Sequence, residues 1–466
     1  GLGLSGLAGA PAPFAHSLQP TPQELRRRAI QTSWKGIADL GPLGGFGRVY
    51  GAVPSVPGRE YQAFAWIPAA HSPHRVLLQV PDQFDRMHRC LVVTASSGSR
   101  GIYGAIALAG AWGLPRGCAV AYTDKGTGAG YFDQADDSGV KLDGTRAKRG
   151  QATLEFEPEA GGPHQGIAIK HAHSGDNPEA DWGRHVLQAA QFGLAMLDRA
   201  FPEQAPFTAE NTRIIATGLS NGGGAVLQAA GLDDAHLLSG VVALEPNVNV
   251  PGHGRPVYDY ATEASIWLPC ALMDARFDNA PMARTPKGDA PPAWAQRCHQ
   301  LHQHGLVSGT RVSAQAAQAY EHLRAGGWTD EAMITAASTT ALDLWRAVTA
   351  GYASAYMRRG PADMPCGFHY AATGTLDPAV RASWWADASG IPPGNGVGLF
   401  GGSDHSDDPT LPGALCLRSL WEDTDASTQA LRDGVAATAV KAPRGSLPLW
   451  VVHGAADGLL PTHFTS

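Results

Sequence analysis

The sequence predicts an α/β fold: a mainly parallel sheet covered by helices, interrupted late in the chain by a large helical insertion. Three observations carry this reading. Short β-branched runs recur with helix-compatible segments between them, the pattern of parallel strands joined by crossover helices. A glycine-rich strand-to-helix turn, Gly218-Leu-Ser-Asn-Gly-Gly-Gly224, sits within that alternation. From Pro251 to about Pro443 strand runs give way to helical spacing, and a last strand returns at Pro448.

In chain order, Cys90-Leu-Val-Val-Thr94 reads as a strand ending in the loop Ala95-Ser-Ser-Gly-Ser-Arg-Gly101, followed by a small-residue helix from Ile102 to Trp112. Cys118-Ala-Val-Ala-Tyr-Thr123 is a second strand, and a polar, Gly-rich excursion follows it to about Asn177. Arg184 to Phe201 carries apolar residues at helical spacing, with Pro202 as its stop. Ile214-Ile-Ala216 leads into the glycine-rich turn, and Ala225 to Ala230 is helix-compatible, with Gly231 placed to close it. Val241-Val-Ala-Leu244 and Pro448-Leu-Trp-Val-Val-His453 complete the strands. Between those two lie helical segments at Pro292 to Gly305, Val312 to Gly326, and Thr329 to Gly360, with Thr329 as an N-cap and Pro361 as a stop. This interval holds seven of the chain's 12 tryptophans (Trp267, Trp294, Trp328, Trp345, Trp384, Trp385 and Trp421), which predicts a subdomain with its own aromatic core. The expected organisation is therefore a core over residues 1–250, a helical lid over 251–443, and a return to the core over 444–466.

Net charge is −7 with 17% charged residues and no long basic run, so no nucleic-acid partner is expected, and a neutral or apolar small molecule fits better. No apolar run is long enough to span a bilayer. The first ten residues carry neither Met nor a basic leader and read at most as the remnant of a secretory signal, with the true N-terminus lost. Six widely spaced cysteines without a C-x-x-C pair leave buried thiols and disulfides equally open and indicate no metal site. His164, His171 and His173, like His299, His302 and His304, lack nearby paired carboxylates or cysteines and are expected to be solvated loop residues. No cofactor is expected, because the glycine-rich turn matches neither phosphate-binding pattern.

The pentad Gly218-Leu-Ser220-Asn-Gly222 at a strand-to-helix turn is the arrangement of a nucleophile elbow. A side chain two residues either side of the serine would collide at so sharp a bend, and Gly218 and Gly222 remove that collision. Ser220 is the candidate nucleophile, placed where the free N–H groups of a helix start favour a developing negative charge. The oxyanion donors expected are the N–H of Asn221 and one from the loop after the earlier strand, with Gly98 and Ser99 best placed. A serine needs an imidazole to take its proton and an acid to orient that imidazole. His453-Gly-Ala-Ala-Asp457-Gly-Leu-Leu-Pro461 resembles the segment that places the triad acid after a late strand of α/β-hydrolases, so Asp457 is the candidate acid and His453 a packed histidine. In that fold the histidine comes last, a helix and a strand beyond the acid. His463 is too close to Asp457, and the chain is expected to stop short of the histidine, leaving a second chain or a missing C-terminal segment to supply it.

Together, Leu91-Val-Val-Thr-Ala-Ser-Ser-Gly-Ser-Arg-Gly101, Tyr122-Thr-Asp-Lys-Gly-Thr-Gly128, Gly218 to Gly224, Met273-Asp-Ala-Arg-Phe-Asp-Asn279 and His453 to Pro461 make the chain resemble the bacterial D-3-hydroxybutyrate oligomer hydrolases. The resemblance implies an α/β-hydrolase-like serine esterase cleaving short 3-hydroxybutyrate esters, released from poly(3-hydroxybutyrate), to the monomer acid, with Ser220 as nucleophile. It implies an extracellular or periplasmic home, and members longer at both ends. The alternatives are another lidded serine esterase of feruloyl-esterase or tannase type, and a non-catalytic binding protein of the same fold.

Overall fold

Each run singled out above forms a strand, and two further strands precede them. The computed structural model describes the chain except residues 1, 129, 160–165, 376, 388–395, 402–409 and 466. The strands are β1 (Gly58–Ala65), β2 (His74–Pro81), β3 (Cys90–Ala95), β4 (Ala119–Thr123), β5 (Tyr131–Asp133), β6 (Ser138–Val140), β7 (Arg146–Lys148), β8 (Ile167–Ile169), β9 (Arg213–Leu219), β10 (Gly240–Leu244), β11 (His369–Ala372), β12 (Val397–Phe400) and β13 (Leu449–Val452). The main sheet has the order β1-β2-β4-β3-β9-β10-β13. β2 is antiparallel to β1 and β4, and the strands from β4 to β13 run parallel.

Side chains two apart share a sheet face, and the core divides accordingly. Val76, Leu78, Leu91, Val93, Ile214 and Ala216 pack under the helices Pro178–Ala200 and Asn221–Leu232, through Trp182, Val186, Ala225 and Val226. Leu77, Val92, Val120 and Tyr122 face the opposite way, against Leu25 and Trp34 of the helix Pro22–Ile37. Burial of a Leu or Val contributes about 1.5–3 kcal/mol, which is why these uninterrupted apolar runs hold the centre of the sheet. The Pro22–Ile37 helix starts at a capping box in which Thr21 accepts from the Glu24 N–H and the Glu24 side chain accepts from the Thr21 N–H.

Several expectations need correction. The Gly-rich excursion after β4 contains a second, antiparallel sheet, β7-β6-β5-β8, whose three-residue strands are too short for periodicity to reveal. Ile102 to Trp112 is not a plain helix: it holds a wide turn at Ile106–Gly110, closed by Ala111 N–H to Ile106 O, and then Ala111–Gly113. The helix after Ser220 runs through Gly231 to Leu232. That glycine serves a close approach, since a Cβ there would lie 2.3 Å from Lys441 O. The helix expected from Arg184 begins at Pro178, where the Asn177 side chain accepts from Ala180 N–H. Thr329 caps its helix as expected, but the segment to Gly360 breaks at Asp343 (φ 52°) into Asp330–Ala341 and Leu344–Tyr356.

Between β10 and β13 lie these helices with Val257–Ala271, Pro292–Gln303, Val312–Ala325, Pro378–Asp387, Leu411–Glu422 and Gln429–Ala436, together with the hairpin β11-β12. Trp328, Trp345 and Trp294 are buried in this block, but its core is not self-contained. Tyr131, Ile167, Ile169 and Ala172 from the small sheet and its flank belong to the same apolar cluster. Trp385 packs instead with Tyr103, in the cluster of the Pro22–Ile37 helix.

All six cysteines pair, as Cys90–Cys118, Cys270–Cys298 and Cys366–Cys416. Among the described residues no helix is long and apolar enough to cross a membrane. Arg75 of β2 is buried against Glu155, with its Nε 2.6 Å from Oε2, and the other carboxylate oxygen accepts from Lys170 Nζ at 3.1 Å. This charged knot ties the main sheet to the small one.

Candidate active site

Leu219 ends β9 and the next residue starts no regular element: Ser220 has φ 61° and ψ −124°. A non-glycine residue adopts such a backbone only when its surroundings over-determine it. Three hydrogen bonds do so here. Ser220 N–H donates to Leu244 O at 2.9 Å, and Ser220 O accepts from Gly224 N–H and Asn247 N–H, each at 3.1 Å. The glycines are required by contact distances: a Cβ on Gly218 would stand 2.1 Å from Gly222 O, and one on Gly222 would stand 2.5 Å from Ala95 O. Gly224 meets Asn247 O in the same way, at 2.0 Å. Ser220 is partly exposed, and the first N–H groups of the Asn221–Leu232 helix have no acceptor within that helix.

The loop after β3 closes against this turn. Arg100 N–H donates to Ser97 O at 3.0 Å, which puts Gly98 and Ser99 at the centre of a tight turn. A Cβ on Gly98 would lie 3.0 Å from Asn221 Cβ and 3.2 Å from Tyr352 Oη. The structure therefore brings Gly98 directly beside Asn221, with Ser99 next in the turn.

On the other side the register runs Leu219, Leu244, Val452 across β9, β10 and β13. The residues that follow, Ser220, Glu245 and His453, consequently line the carboxyl edge of the sheet. With strands about 4.8 Å apart, the loops bearing Ser220 and Asp457 are separated by two strand spacings, about 10 Å. Asp457 Oδ1 accepts from Leu459 N–H (2.8 Å) and Leu460 N–H (2.9 Å). His453 Nε2 lies 2.6 Å from Leu460 O, 3.4 Å from Glu245 Oε2 and 3.5 Å from Asp457 Oδ2. Glu245, which sequence reasoning missed, accepts Gly454 N–H on both oxygens and has φ 46°. A charged residue directly after a buried strand was the clue available. These three residues could present ligand atoms to a cation, all within 4.8 Å of one another, but the His453 nitrogen and both Glu245 oxygens are already engaged by the protein. His463 lies in the helical turn Thr462–Thr465 with its ring against Phe464, and no hydrogen bond joins it to Ser220. His299, His302 and His304 are exposed, as expected, but His299 and His302 stand on the helix Pro292–Gln303 and not in a loop. His171 and His173 are not: both are buried, at 1% and 4% exposure, because Lys170–His173 forms a helical turn under the insertion. His164 lies outside the described residues.

His171 belongs to a polar cluster behind Asn221. Lys125, in the loop after β4, donates to Glu179 Oε1, to Asn221 Oδ1 and, at 3.1 Å, to Tyr352 Oη. Glu179 also meets His171 Nε2 at 2.7 Å. Burial lowers the pKa of Lys125, with Glu179 opposing the shift. Burial alone would raise Glu179, yet Lys125 and His171 outweigh it and hold that carboxyl down to about 2. Burial and then Lys125 push His171 down against the pull of Glu179. Since the folded pKa of Glu179 lies below its ordinary value of 4.5, its stabilisation is complete above about pH 4.5 and is lost as pH falls toward about 2. The urea midpoint of the protein is expected to drop across that window by more than that of a Lys125→Met/Glu179→Gln variant. Equal pH slopes in the two proteins would contradict the pairing.

Residues 1–466 match the sequence model of the family described as 3HB-oligomer hydrolase (3HBOH). The D-(-)-3-hydroxybutyrate oligomer hydrolase of Cupriavidus metallidurans is 37% identical over 535 residues, covering 100% of this chain and 73% of that protein. The protein of the same name from Paracidovorax citrulli is 37% identical over 534 residues, covering 100% and 75%. Among solved structures, an arylesterase overlaps 49% of this chain and 53% of its own at 14% identity and TM-score 0.25. A thermostable carboxylesterase from a metagenomic library overlaps 52% and 60% at 13% identity and TM-score 0.26.

Proposed function

The chain belongs to the 3HB-oligomer hydrolase family, and from that premise we propose that Ser220 is the nucleophile with which it cleaves the ester bonds of short 3-hydroxybutyrate oligomers. The chain is a carboxylic ester hydrolase yielding 3-hydroxybutyrate. The observation that carries the assignment of Ser220 is its backbone: a strained serine at a strand-to-helix bend, held by three main-chain bonds with free helix N–H groups beside it.

Ser220 Oγ attacks the ester carbonyl while an imidazole takes its proton, and the carbonyl oxygen moves into the field of the Asn221 N–H and an N–H of Gly98 or Ser99. Collapse of the tetrahedral adduct releases the hydroxyl end of the oligomer, protonated by the imidazolium. Water, deprotonated by the same imidazole, then frees the acyl unit. Asp457 orients the imidazole, and Glu245 braces the loop that carries Asp457 by holding Gly454 N–H.

The imidazole itself comes from a segment laid along β13, contributed by a second chain or by further sequence of this one. What supports this is the open outer edge of β13, where Trp450, Val451 and Val452 are 61%, 51% and 56% exposed, an apolar parallel edge of the kind proteins normally cover. Residues 251–443 form a lid above the catalytic edge, between core segments 1–250 and 444–466, and its tryptophan-rich packing suits methyl-bearing acyl units. Three disulfides favour an extracellular or periplasmic location.

A serine-directed phosphonate is expected to label the full-length protein at Ser220, identified by peptide mapping. Labelling elsewhere, or none, would favour a binding protein that kept the fold. The 3-hydroxybutyrate dimer should be cleaved with kcat/KM at least about 10²-fold above methyl ferulate. A reversed preference would move the chain to the aromatic esterases.

A further inference from the structure

We propose that the helical insertion supplies a working part of the oxyanion hole: Tyr352, acting with Lys125, fixes the position of Asn221. The inference rests on the reading of Ser220 as nucleophile and Asn221 N–H as oxyanion donor.

An ammonium has three protons to place, and Lys125, 1% exposed, finds three acceptors: Glu179 Oε1, Asn221 Oδ1 and Tyr352 Oη at 3.1 Å. Two of these belong to different machinery. Asn221 is the residue after the nucleophile, so clamping its side chain fixes the peptide plane that aims its N–H. Tyr352 comes from Leu344–Tyr356, inside the insertion, whereas Lys125, His171, Glu179 and Asn221 all precede it in the chain. Its hydroxyl also abuts the other half of the hole, lying 3.2 Å from where a Gly98 Cβ would stand. One phenol oxygen thus accepts from the lysine that clamps Asn221 and fills the space a side chain at Gly98 would need. Ser354 Oγ, two residues along the same helix, donates to Ala172 O at 2.5 Å, and the Tyr352 ring lies 5.1 Å from that of His171. These contacts seat the helix against the core.

A buried ion pair kept only for stability needs acceptors for the two ammonium protons that Glu179 leaves over, and any backbone carbonyl could supply them. It does not need the amide of the residue beside the nucleophile or a phenol from a remote helix. What the arrangement does provide is preorganisation: donors already aimed when negative charge develops. Tyr352 and Lys125 are positioning residues, since both lie behind Asn221 and act through it.

The test uses the full-length protein and the 3-hydroxybutyrate dimer. Tyr352→Phe keeps the ring and the ion pair, and is expected to lower kcat about tenfold with KM within about twofold, the split of an interaction realised in the transition state. The phosphonate labelling rate should fall in parallel. In an Asn221→Ala background the Tyr352→Phe effect should vanish, because its route is gone. Lys125→Met is expected to cost about 10²-fold in kcat if it folds, while Tyr352→Phe decides the matter either way. Unchanged kcat in Tyr352→Phe, or a rise in KM alone, overturns the inference. So does full additivity with Asn221→Ala. Ser220→Ala run alongside separates the two readings: a dead Ser220→Ala with a fully active Tyr352→Phe refutes only the brace, whereas a working Ser220→Ala refutes the nucleophile as well.

Discussion

Ser220→Ala is expected to lower kcat on the 3-hydroxybutyrate dimer by about 10⁴- to 10⁶-fold, leaving only what the oxyanion donors and binding contribute. The change removes one oxygen, which accepts no helix-capping bond. The three bonds that hold the bend are all backbone and survive, so the variant should unfold at nearly the same urea concentration as the parent. Ser220→Gly should be equally inactive but more stable, by about 1 kcal/mol, since glycine tolerates positive φ and releases the strain. A Ser220→Ala protein that retains more than about a hundredth of the parental kcat would remove the elbow from the mechanism. A Ser220→Gly variant less stable than the parent would mean that φ 61° is not costly in this setting.

The largest effect on stability is expected at Glu155. Its carboxylate, 0% exposed, is shared by Arg75 and Lys170, which are 1% and 3% exposed. Glu155→Ala strands two buried cations at once, and breaking such a group from one side costs about 3–5 kcal/mol. That is a large part of the 5–15 kcal/mol typical of a folded domain. The Arg75 guanidinium still donates to the Leu142 and Lys141 carbonyls at 2.6 and 2.8 Å, so part of its hydration is replaced even then. Glu155→Gln, which keeps an acceptor, should cost less. Urea denaturation of the three proteins checks the order, and a Glu155→Ala loss below about 1 kcal/mol would show that water reaches the knot.

What could be read from the sequence was whatever is local. The elbow declares itself in five residues because the collision that demands Gly218 and Gly222 lies within one turn of chain. The strands at Leu91, Ile214 and Val241 are continuous apolar runs for the same reason: burial on both faces leaves no room for polar alternation. Roles set by register were hidden. Glu245 meets Gly454 only because β10 and β13 are neighbours, a pairing no local pattern contains. Lys125 and Tyr352 stand 227 residues apart in the chain. Thr21 and Glu24 carry a capping box that marks the start of the Pro22–Ile37 helix, whereas the strands of the small sheet are three residues long, too short for periodicity to show. His171 and His173 look solvated when read beside glycines and prolines, and are buried because the insertion folds over them.

The pairing of the cysteines divides the molecule in a way their spacing does not announce. Cys90–Cys118 joins neighbouring parts of the main sheet, while Cys270–Cys298 and Cys366–Cys416 both lie within residues 251–443. No covalent crosslink runs from one region to the other. Oxidation therefore toughens each region separately, and apart from the backbone that joins them the described seam is held by noncovalent contacts, such as Asn177 Nδ2 to Gly434 O at 2.9 Å and Gln228 Nε2 to Thr438 O at 3.0 Å. Each disulfide thus resists unravelling of its own region and places no constraint on how one region sits against the other.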